Sequence, residues 1–212
     1  MTFAEASDYF MKLPLKIEKT TIVVDNSAKQ NFLQKIFSCG SPKLNKIFFP
    51  VRDQLFAIGK VKFSDEDPEH AHLLTTIFKS LTKKEHCAMM GSHWKEIGFQ
   101  SDLPERDIRG TGMLGNLLVL QLMEAHKDWV LAFWKHSTNK NFDFPMMCSF
   151  YSLTVVVLEI FRDTKIIRKL NEDSLTPGAY EKMFFNMFAA VFILFFVTYT
   201  RRGANFSSYG LV

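Results

Sequence analysis

The stretch Asp67-Pro-Glu-His-Ala-His-Leu-Leu-Thr-Thr-Ile-Phe-Lys-Ser-Leu81 carries the clearest helix signal in the 212-residue chain. Asp67 can cap the first turn, Pro68 suits the first helical position, and Glu69 places a negative charge near the positive end of the helix dipole. Apolar residues follow at helical spacing, namely Leu73, Leu74, Ile77, Phe78 and Leu81. This spacing predicts an amphipathic helix with one buried face.

Further stretches extend the helical pattern toward the C-terminus. A second helix is predicted from Gly112 to His126, where leucines form a wide apolar surface. A third is predicted from Met146 to Arg162, although its run Thr154-Val-Val-Val-Leu158 has strand propensity, because seventeen residues without a turn signal exceed an average strand. An acidic linker at residues 171–178 then precedes an apolar C-terminal helix. The expected fold class is all-α, a multi-helix single domain.

The C-terminal apolar run has two interpretations. Eighteen residues from Met183 to Thr200 carry no charge, and Arg201 and Arg202 follow at once. Eighteen residues are the lower limit of a membrane span, so a membrane anchor is one interpretation. The other is a helix in the centre of an all-helical core, apolar all round because neighbours surround it. We favour the core helix, although the run itself fits both.

The composition is that of a globular chain of single-domain size. It is 47% hydrophobic and 23% charged, which argues against a long disordered tail, and the length leaves little room for a multi-domain scaffold. Phenylalanine is unusually frequent, at 22 residues. Since each ring buries much apolar surface for few rotatable bonds, a large aromatic core is expected.

The positive charge of the chain is concentrated near its beginning. Residues 1–60 hold nine Lys/Arg and five Asp/Glu, whereas residues 61–212 hold seventeen of each. We therefore predict a basic N-terminal extension at 1–59 and a helical domain at 60–212. The extension is expected to be mixed and partly extended, with a short strand at 20–24 and an amphipathic helix at 27–37. That helix either packs on the domain or makes a peripheral contact with an anionic membrane.

Several classes of protein are disfavoured by what the sequence lacks. No dense basic stripe indicates nucleic-acid binding, and Cys39, Cys87 and Cys148 form neither a disulfide framework nor a zinc half-site. The sequence contains no GxSxG, Walker A, GxGxxG or HExxH motif. The first residues show no secretory signal. Reduced thiols, no metal and a cytoplasmic location, peripheral to an intracellular membrane, are expected.

One segment combines residue types that packing alone does not require: Trp94-Lys-Glu-Ile-Gly-Phe-Gln-Ser-Asp-Leu-Pro-Glu-Arg-Asp-Ile-Arg-Gly-Thr-Gly-Met-Leu114. Asp107 and Arg109 lie two residues apart in a glycine-bounded loop just before a predicted helix. The acid can cap that helix or hold the guanidinium. The glycines allow unusual backbone angles or the close approach of a partner. A well-packed turn with an internal ion pair is the alternative.

This segment resembles the signature of the ELMO domain family, W-x3-G-F-Q-x3-P-x-T-D-x-R-x-x-G-x-L. Nine of the ten positions agree, namely Trp94, Gly98, Phe99, Gln100, Pro104, Asp107, Arg109, Gly112 and Leu114. The tenth holds Arg106 in place of Thr, which either competes for Asp107 or adds positive charge to a surface that meets phosphate. The segments at 67–74 and 144–146 also resemble the family, so the likeness covers roughly residues 60–200.

The resemblance implies a function. Short members of the family resemble GTPase-activating proteins (GAPs) for Arf and Arf-like GTPases, and long members are scaffolds for a Rac exchange factor. At 212 residues the chain resembles the short branch. Arg109 is then expected to act in trans as a catalytic arginine finger. Supporting roles are implied for Asp107, Gln100, Trp94, Gly98, Phe99, Gly110, Gly112 and Arg106.

The partner implied by this resemblance is a small GTPase of the Arf family, in membrane traffic. No cofactor is expected in this chain, because GTP and Mg²⁺ stay on the GTPase. The alternative function is a non-catalytic interaction module that binds a small GTPase or an exchange factor.

Overall fold

The structure, a computed structural model, describes residues 1–15, 43–108, 110–172 and 175–204. Every regular element in these residues is a helix. The all-α prediction is therefore confirmed. The strand predicted at 20–24 and the helix predicted at 27–37 lie outside the described residues. The α-helices are α1 (Phe3–Lys12), α2 (Phe49–Ile58), α3 (Pro68–Thr82), α4 (Glu105–Ile108), α5 (Gly112–Ala125), α6 (Lys127–Ser137), α7 (Met146–Ile160), α8 (Thr164–Glu172) and α9 (Pro177–Arg201), and two 3₁₀ turns cover Lys46–Phe48 and Ser92–Ile97.

Helix α3 begins as its sequence predicts. The Asp67 carboxylate accepts hydrogen bonds from the backbone N–H groups of Glu69 (2.9 Å) and His70 (3.2 Å), and Pro68 occupies the first helical position. The five apolar residues of the predicted face, Leu73, Leu74, Ile77, Phe78 and Leu81, are all buried. The capped start and the apolar face together fix α3 against the rest of the domain.

Helix α5 lies at the centre of the fold. It packs against α1, α2, α3, α4, α6, α7 and α9. All residues from Gly112 to Leu120 are buried, as is Leu122. A helix that is apolar on every side is typical of such a surrounded position. The prediction of a helix over these residues is confirmed, and its N-terminus is the end of the Trp94–Leu114 segment.

Helix α7 is also confirmed as a helix despite its strand-forming valines. It lies beside α9 and closes an aromatic cluster with α6. At the centre of this cluster is Phe133, whose ring centroid lies 4.6 Å from Phe144, 5.3 Å from Phe150, and 5.0 Å from both Phe192 and Phe196. The contacts with Phe150, Phe192 and Phe196 are edge to face, and such contacts add to the stabilisation from the apolar area that the rings bury. The large aromatic core expected from composition is present.

Helix α9 contributes one face to this core. Phe184, Phe188 and Phe192 are fully buried, whereas Leu194 is 68% exposed. By length and composition alone the helix could cross a membrane, since its most apolar window has a mean hydropathy of 1.9, and 39% of that window is buried in the fold. The structure thus places the buried face in the core, with α2 and α7 as neighbours.

The linker predicted at 171–178 is shorter than expected. Helix α8 continues through Glu172, and α9 already begins at Pro177. Proline is favoured at the first position of a helix because its missing N–H has no intrahelical partner there. The Pro-Gly pair therefore starts α9 and does not end the linker.

Helix α1 packs into the same core. Thr2 and Glu5 form a capping box, in which the Thr2 hydroxyl accepts from the Glu5 amide and the Glu5 carboxylate accepts from the Thr2 amide. Phe10 is fully buried, and the Gln54 side-chain amide donates to its carbonyl oxygen at 2.7 Å. Residues before 60 therefore add to the core, and the domain boundary at 59/60 stays a prediction.

A polar cluster joins α1 to α3. The Tyr9 hydroxyl donates to the Asp67 carboxylate at 2.8 Å, and the buried ring of His70 stacks on Phe10 at 5.6 Å. The Nδ1 atom of His70 accepts from the Ser64 amide at 3.2 Å, which requires the neutral ring to carry its proton on Nε2. Burial lowers the pKa of His70, although the charge of Asp67 opposes this effect. The imidazole is therefore held neutral.

Candidate functional site

The Trp94–Leu114 segment begins with a 3₁₀ turn whose tryptophan is part of the core. Trp94 is fully buried, and its indole N–H lies 3.1 Å from the carbonyl oxygen of Ala88 and 3.2 Å from that of Met89. Its ring contacts Phe78 and Phe99 edge to face, at centroid distances of 5.2 and 5.6 Å. Trp94 and Phe99 therefore fix the start of the segment from inside and offer no surface for direct contact with a partner.

Gly98 allows the segment to lie directly against helix α7. Its φ is +87°, and a Cβ at this position would lie 2.0 Å from the backbone nitrogen of Met146. The carbonyl oxygen of Gly98 faces the backbone N–H of Cys148 at 3.5 Å, so it covers an amide in the first turn of α7. Any side chain at this position is therefore strained by both the backbone angle and the space.

Asp107 ties the short helix α4 back to the residues before it. One carboxylate oxygen, Oδ2, accepts from the backbone N–H of Gln100 at 2.9 Å and from that of Ser101 at 3.0 Å. Of the two roles predicted for this acid, capping of the following helix is wrong, because no side chain caps α5, which follows Thr111. The other role, holding the Arg109 guanidinium, involves a residue outside those that the structure describes. The acid instead closes the loop from Gln100 to Asp107, in which Gln100 contributes its backbone N–H while its side chain is exposed.

The second anchor of the segment is Gly112. Its φ is +52°, and a Cβ there would lie 2.6 Å from the carbonyl oxygen of Val61. The same oxygen accepts from the backbone N–H of Met113 at 3.0 Å. The start of the central helix α5 is therefore fixed to the connection between α2 and α3, with no room for a side chain at residue 112.

Arg109, the predicted catalytic residue, lies outside the residues that the structure describes. Of the residues on either side of it, Ile108 is buried and Gly110 faces solvent. Gly110 is exposed, and an added Cβ there would have no heavy atom within 4 Å. Arg106 is exposed, and it forms no ion pair with Asp107 or with any other described carboxylate. Arg106 therefore does not compete with Arg109 for the carboxylate of Asp107.

A buried polar pair supports the site from below. The Tyr151 hydroxyl of α7 donates to the side-chain oxygen of Asn116 in α5 at 2.8 Å, and both side chains are buried. The Tyr151 ring also contacts Phe99, with centroids 6.1 Å apart. Burial raises the pKa of Tyr151 well above its ordinary value, which keeps the hydroxyl protonated as a donor. This hydrogen bond therefore joins α5 and α7, the two helices next to the Trp94–Leu114 segment.

Cys148 lies beside this pair at the edge of the loop. Burial, and then the charge of Asp107, raise the pKa of its thiol to about 11. A thiol with such a pKa is protonated at neutral pH and is a weak nucleophile. Across the described ranges, no group of three or more His, Cys, Asp and Glu side chains is placed to hold a metal ion.

The sequence did not identify every residue that builds this site. Ser101, Val61 and Cys148 act through backbone atoms, which leave no mark on residue type. Tyr151 and Asn116 are polar residues in otherwise apolar helices. Because buried polar groups are nearly always hydrogen-bonded, this pattern could have indicated that each has a partner in the core. Gly110 is the reverse case, since the described fold gives no steric or conformational reason for a glycine there.

Comparison with known proteins agrees with the signature. The sequence model of the ELMO/CED-12 family matches residues 53–212, which include the whole site. Human ELMO domain-containing protein 3 is 29% identical over 179 residues, covering 81% of this chain and 46% of its own length. ELMO domain-containing protein C of Dictyostelium discoideum is 26% identical over 137 residues, which are 65% of this chain and 20% of that protein.

A third relative, human ELMO domain-containing protein 2, is 25% identical over 134 residues, covering 62% of this chain and 45% of its own length. The chain therefore spans less than half the length of these curated relatives. No solved structure gives a significant match. Because the family model covers well over half of the residues, including the Trp94–Leu114 signature, the chain belongs to the ELMO/CED-12 family.

Proposed function

We propose that this protein is a GTPase-activating protein for a small GTPase of the Arf or Arf-like group, and that Arg109 is the arginine it supplies in trans. The ELMO family is associated with small-GTPase pathways, which supports a GTPase as the class of partner. The choice of Arf-type GTPases and of an activating role rests on the resemblance of the Trp94–Leu114 segment to the family signature, in which Arg109 holds the position of the arginine. A location at an intracellular membrane is part of the same proposal.

The observation that carries the proposal is the anchoring of the segment on both sides of Arg109. Two residues before it, Asp107 is held by the amides of Gln100 and Ser101, and three residues after it, Gly112 is held against Val61. An arginine between two fixed points loses less conformational freedom when it enters a partner's active site. Preorganisation of this kind is expected of a residue that stabilises a transition state.

The surroundings of Arg109 also suit a close approach. Gly110 is exposed and leaves open space beside the backbone, and Arg106 adds a second positive charge nearby. During GTP hydrolysis, negative charge spreads over the transferred phosphoryl group and the leaving oxygens. A guanidinium stays charged and presents a rigid fork of donors toward such oxygens. In other systems an arginine finger in trans increases the rate by about 10³–10⁵, or about 4–7 kcal/mol of barrier.

The alternative is a non-catalytic module that binds a GTPase or an exchange factor. It is favoured by the extent of core packing in the segment, since Trp94 and Phe99 are buried and the motif is partly structural. The two functions differ in one observable. A GAP accelerates hydrolysis by its partner, whereas a binding module binds the partner without changing that rate.

The test is a screen of the purified chain against a panel of Arf, Arf-like and Rac-type GTPases loaded with radioactive GTP. Single-turnover phosphate release and binding are measured for each one. Stimulated hydrolysis by an Arf or Arf-like member supports the proposal. Binding without stimulation supports the alternative, and stimulation confined to Rac-type GTPases contradicts the choice of partner.

A further inference from the structure

The loop between α3 and the 3₁₀ turn at Ser92–Ile97 presents an apolar side chain to solvent. This loop covers residues 83–91, and its Met90 is 68% exposed. No large hydrophobic residue that the structure describes is more exposed, and Leu194 of α9 is equally exposed. We call residues 83–91 the Met90 loop.

The backbone on both sides of Met90 is held in place. The indole N–H of the buried Trp94 lies 3.1 Å from the carbonyl oxygen of Ala88 and 3.2 Å from that of Met89. After Met90, the backbone N–H of Gly91 donates to the carbonyl oxygen of Asp102 at 2.9 Å. The exposed side chain therefore starts from a fixed point on the surface, which lowers the entropy that a contact through it would cost.

Packing of the loop does not require an apolar residue at position 90. Cys87 and Met89 are half-buried and pack against the core, whereas Ala88 and Met90 face solvent. The core contacts of the loop thus come from other side chains. Methionine fits irregular apolar surfaces because it is unbranched and polarisable, and it is enriched in protein–protein interfaces.

The Met90 loop is joined directly to the residues that hold the Arg109 segment. Asp102, which accepts from the Gly91 amide, follows Ser101, and the backbone N–H of Ser101 donates to the Asp107 carboxylate at 3.0 Å. Asp107 lies two residues before Arg109. A single exposed apolar side chain is common on protein surfaces, but this one is connected to the candidate site through two successive hydrogen bonds.

The residues that surround this connection are open to a partner. Leu103, directly after Asp102, is only half-buried and adds a second apolar side chain. Gln100, Arg106 and Gly110 of the same segment are exposed. Apolar residues with polar ones beside them are typical of protein–protein interfaces.

We infer that Met90 is an apolar anchor that binds the same small GTPase that receives Arg109. This inference rests on the proposed function, because the partner is the one named there. A stable interface covers about 20–30 residues on each side, so a partner that receives Arg109 also covers the loop bonded to Asp102. The GTPase is expected to offer an apolar patch beside its nucleotide site. Arg109 then acts on the rate of hydrolysis, and Met90 acts on affinity.

The experiment is single-turnover hydrolysis by the GTPase identified in the screen, at increasing concentrations of the full chain. Met90→Glu places a charge against the apolar patch and is expected to raise the half-saturating concentration at least about tenfold, with the maximal rate unchanged. Met90→Ala is expected to change it in the same direction. Met90→Leu keeps the apolar volume and is expected to behave like the original chain.

The matched control is Leu194→Glu, because Leu194 has the same exposed fraction but lies on α9. It is expected to leave both the half-saturating concentration and the maximal rate unchanged. Circular dichroism verifies that each variant is folded. Equal losses in the Met90→Glu and Leu194→Glu variants, equal losses in Met90→Glu and Met90→Leu, or unchanged affinity in Met90→Glu and Met90→Ala would each overturn the inference. So would a lower maximal rate without a change in the half-saturating concentration.

A binding measurement separates this inference from the proposed activity. The GTPase is loaded with a non-hydrolysable GTP analogue, and its affinity for each variant is measured directly. If the original chain binds without stimulating hydrolysis, the proposed activity fails, and weaker binding by Met90→Glu still supports the inference. Stimulation that Met90→Glu retains at every concentration overturns the inference alone, and no binding to any GTPase of the panel overturns both. Dissociation of a dimer of this chain by Met90→Glu, with GTPase binding unchanged, would overturn the inference in favour of a second copy as the partner.

Discussion

The side-chain carboxylate of Asp107 accepts a 2.9 Å hydrogen bond from the backbone N–H of Gln100. Six residues lie between the two, and the same oxygen accepts from the backbone N–H of Ser101 at 3.0 Å. A charged acceptor with two amide donors stabilises a loop more than a neutral contact does. These hydrogen bonds therefore fix the backbone of the segment that precedes Arg109.

Replacement of Asp107 is expected to loosen this loop. Asp107→Ala leaves two amides without their acceptor, and the expected cost is about 1–2 kcal/mol of unfolding free energy. Urea denaturation measures this loss. The control is Asp102→Ala, which removes an ion pair with Lys95 in which both side chains are more than half exposed. Such pairs contribute about 0–1 kcal/mol, so equal losses in the two variants would show that Asp107 has no special role.

Replacement by alanine is expected to lower the unfolding free energy at Gly98 and to leave it nearly unchanged at Gly110. Gly98→Ala places a Cβ 2.0 Å from the Met146 nitrogen at a positive φ, so it should destabilise the fold by more than about 1 kcal/mol. Gly110→Ala meets open space and should change the unfolding free energy by less than about 0.5 kcal/mol. If a partner approaches closely at Gly110, the Gly110→Ala variant will be folded but less active. A stable Gly98→Ala variant would contradict the close packing on α7.

The folded state is expected to lose stability in mild acid because of His70. Burial lowers the pKa of His70 in the fold, whereas the unfolded chain has a value of about 6.5. Below that pH the unfolded state binds more protons, so the unfolding free energy should fall as the pH drops from about 7 to about 5. His70→Gln should reduce this slope, measured by urea denaturation at several pH values.

The control for this titration is His86→Gln, because His86 is exposed. Its slope should match that of the original chain. His136 adds a change of the same sign, since burial lowers its pKa as well. An unchanged slope in the His70 variant would mean that its imidazole is not the group that resists protonation.

The exposed side of α9 provides a test of its place in the core. Leu194→Asp changes a side chain that is 68% exposed and should alter the unfolding free energy by about 0.5 kcal/mol or less. In a membrane span the same change would cost about 2.5–3.5 kcal/mol near the helix centre. Phe188→Asp, on the buried face, should abolish folding. Loss of folded protein in the Leu194 variant would favour the membrane interpretation.

The sequence predicted those parts of the fold that depend on periodicity and local caps. The Asp67-Pro68 pair correctly predicted the start of α3. The length of the apolar run from Met146 to Arg162 correctly predicted a helix, although its valines favour a strand. Helices α1 and α8 were not predicted, although the Thr2/Glu5 capping box and the spacing of the α8 apolar residues were readable signals.

The site was predicted less completely because its geometry depends on contacts across the chain. The signature identified Asp107 and Gly112, but their partners are the amide of Gln100 and the carbonyl oxygen of Val61. Backbone partners do not depend on residue type, so no pattern in the sequence reveals them. The role of α5 as the central helix likewise depends on seven neighbours that periodicity does not specify.

The proposed activity is tested most directly by single-turnover GTP hydrolysis with the GTPase identified in the screen, comparing the original chain with Arg109→Lys. The matched control is Arg106→Lys, an exposed arginine three residues earlier. The proposal predicts that Arg109→Lys binds the GTP-loaded partner but loses most of the stimulation, by about 10³-fold or more, while Arg106→Lys keeps it. Equal stimulation by Arg109→Lys and the original chain would contradict the assignment of Arg109 as the catalytic arginine.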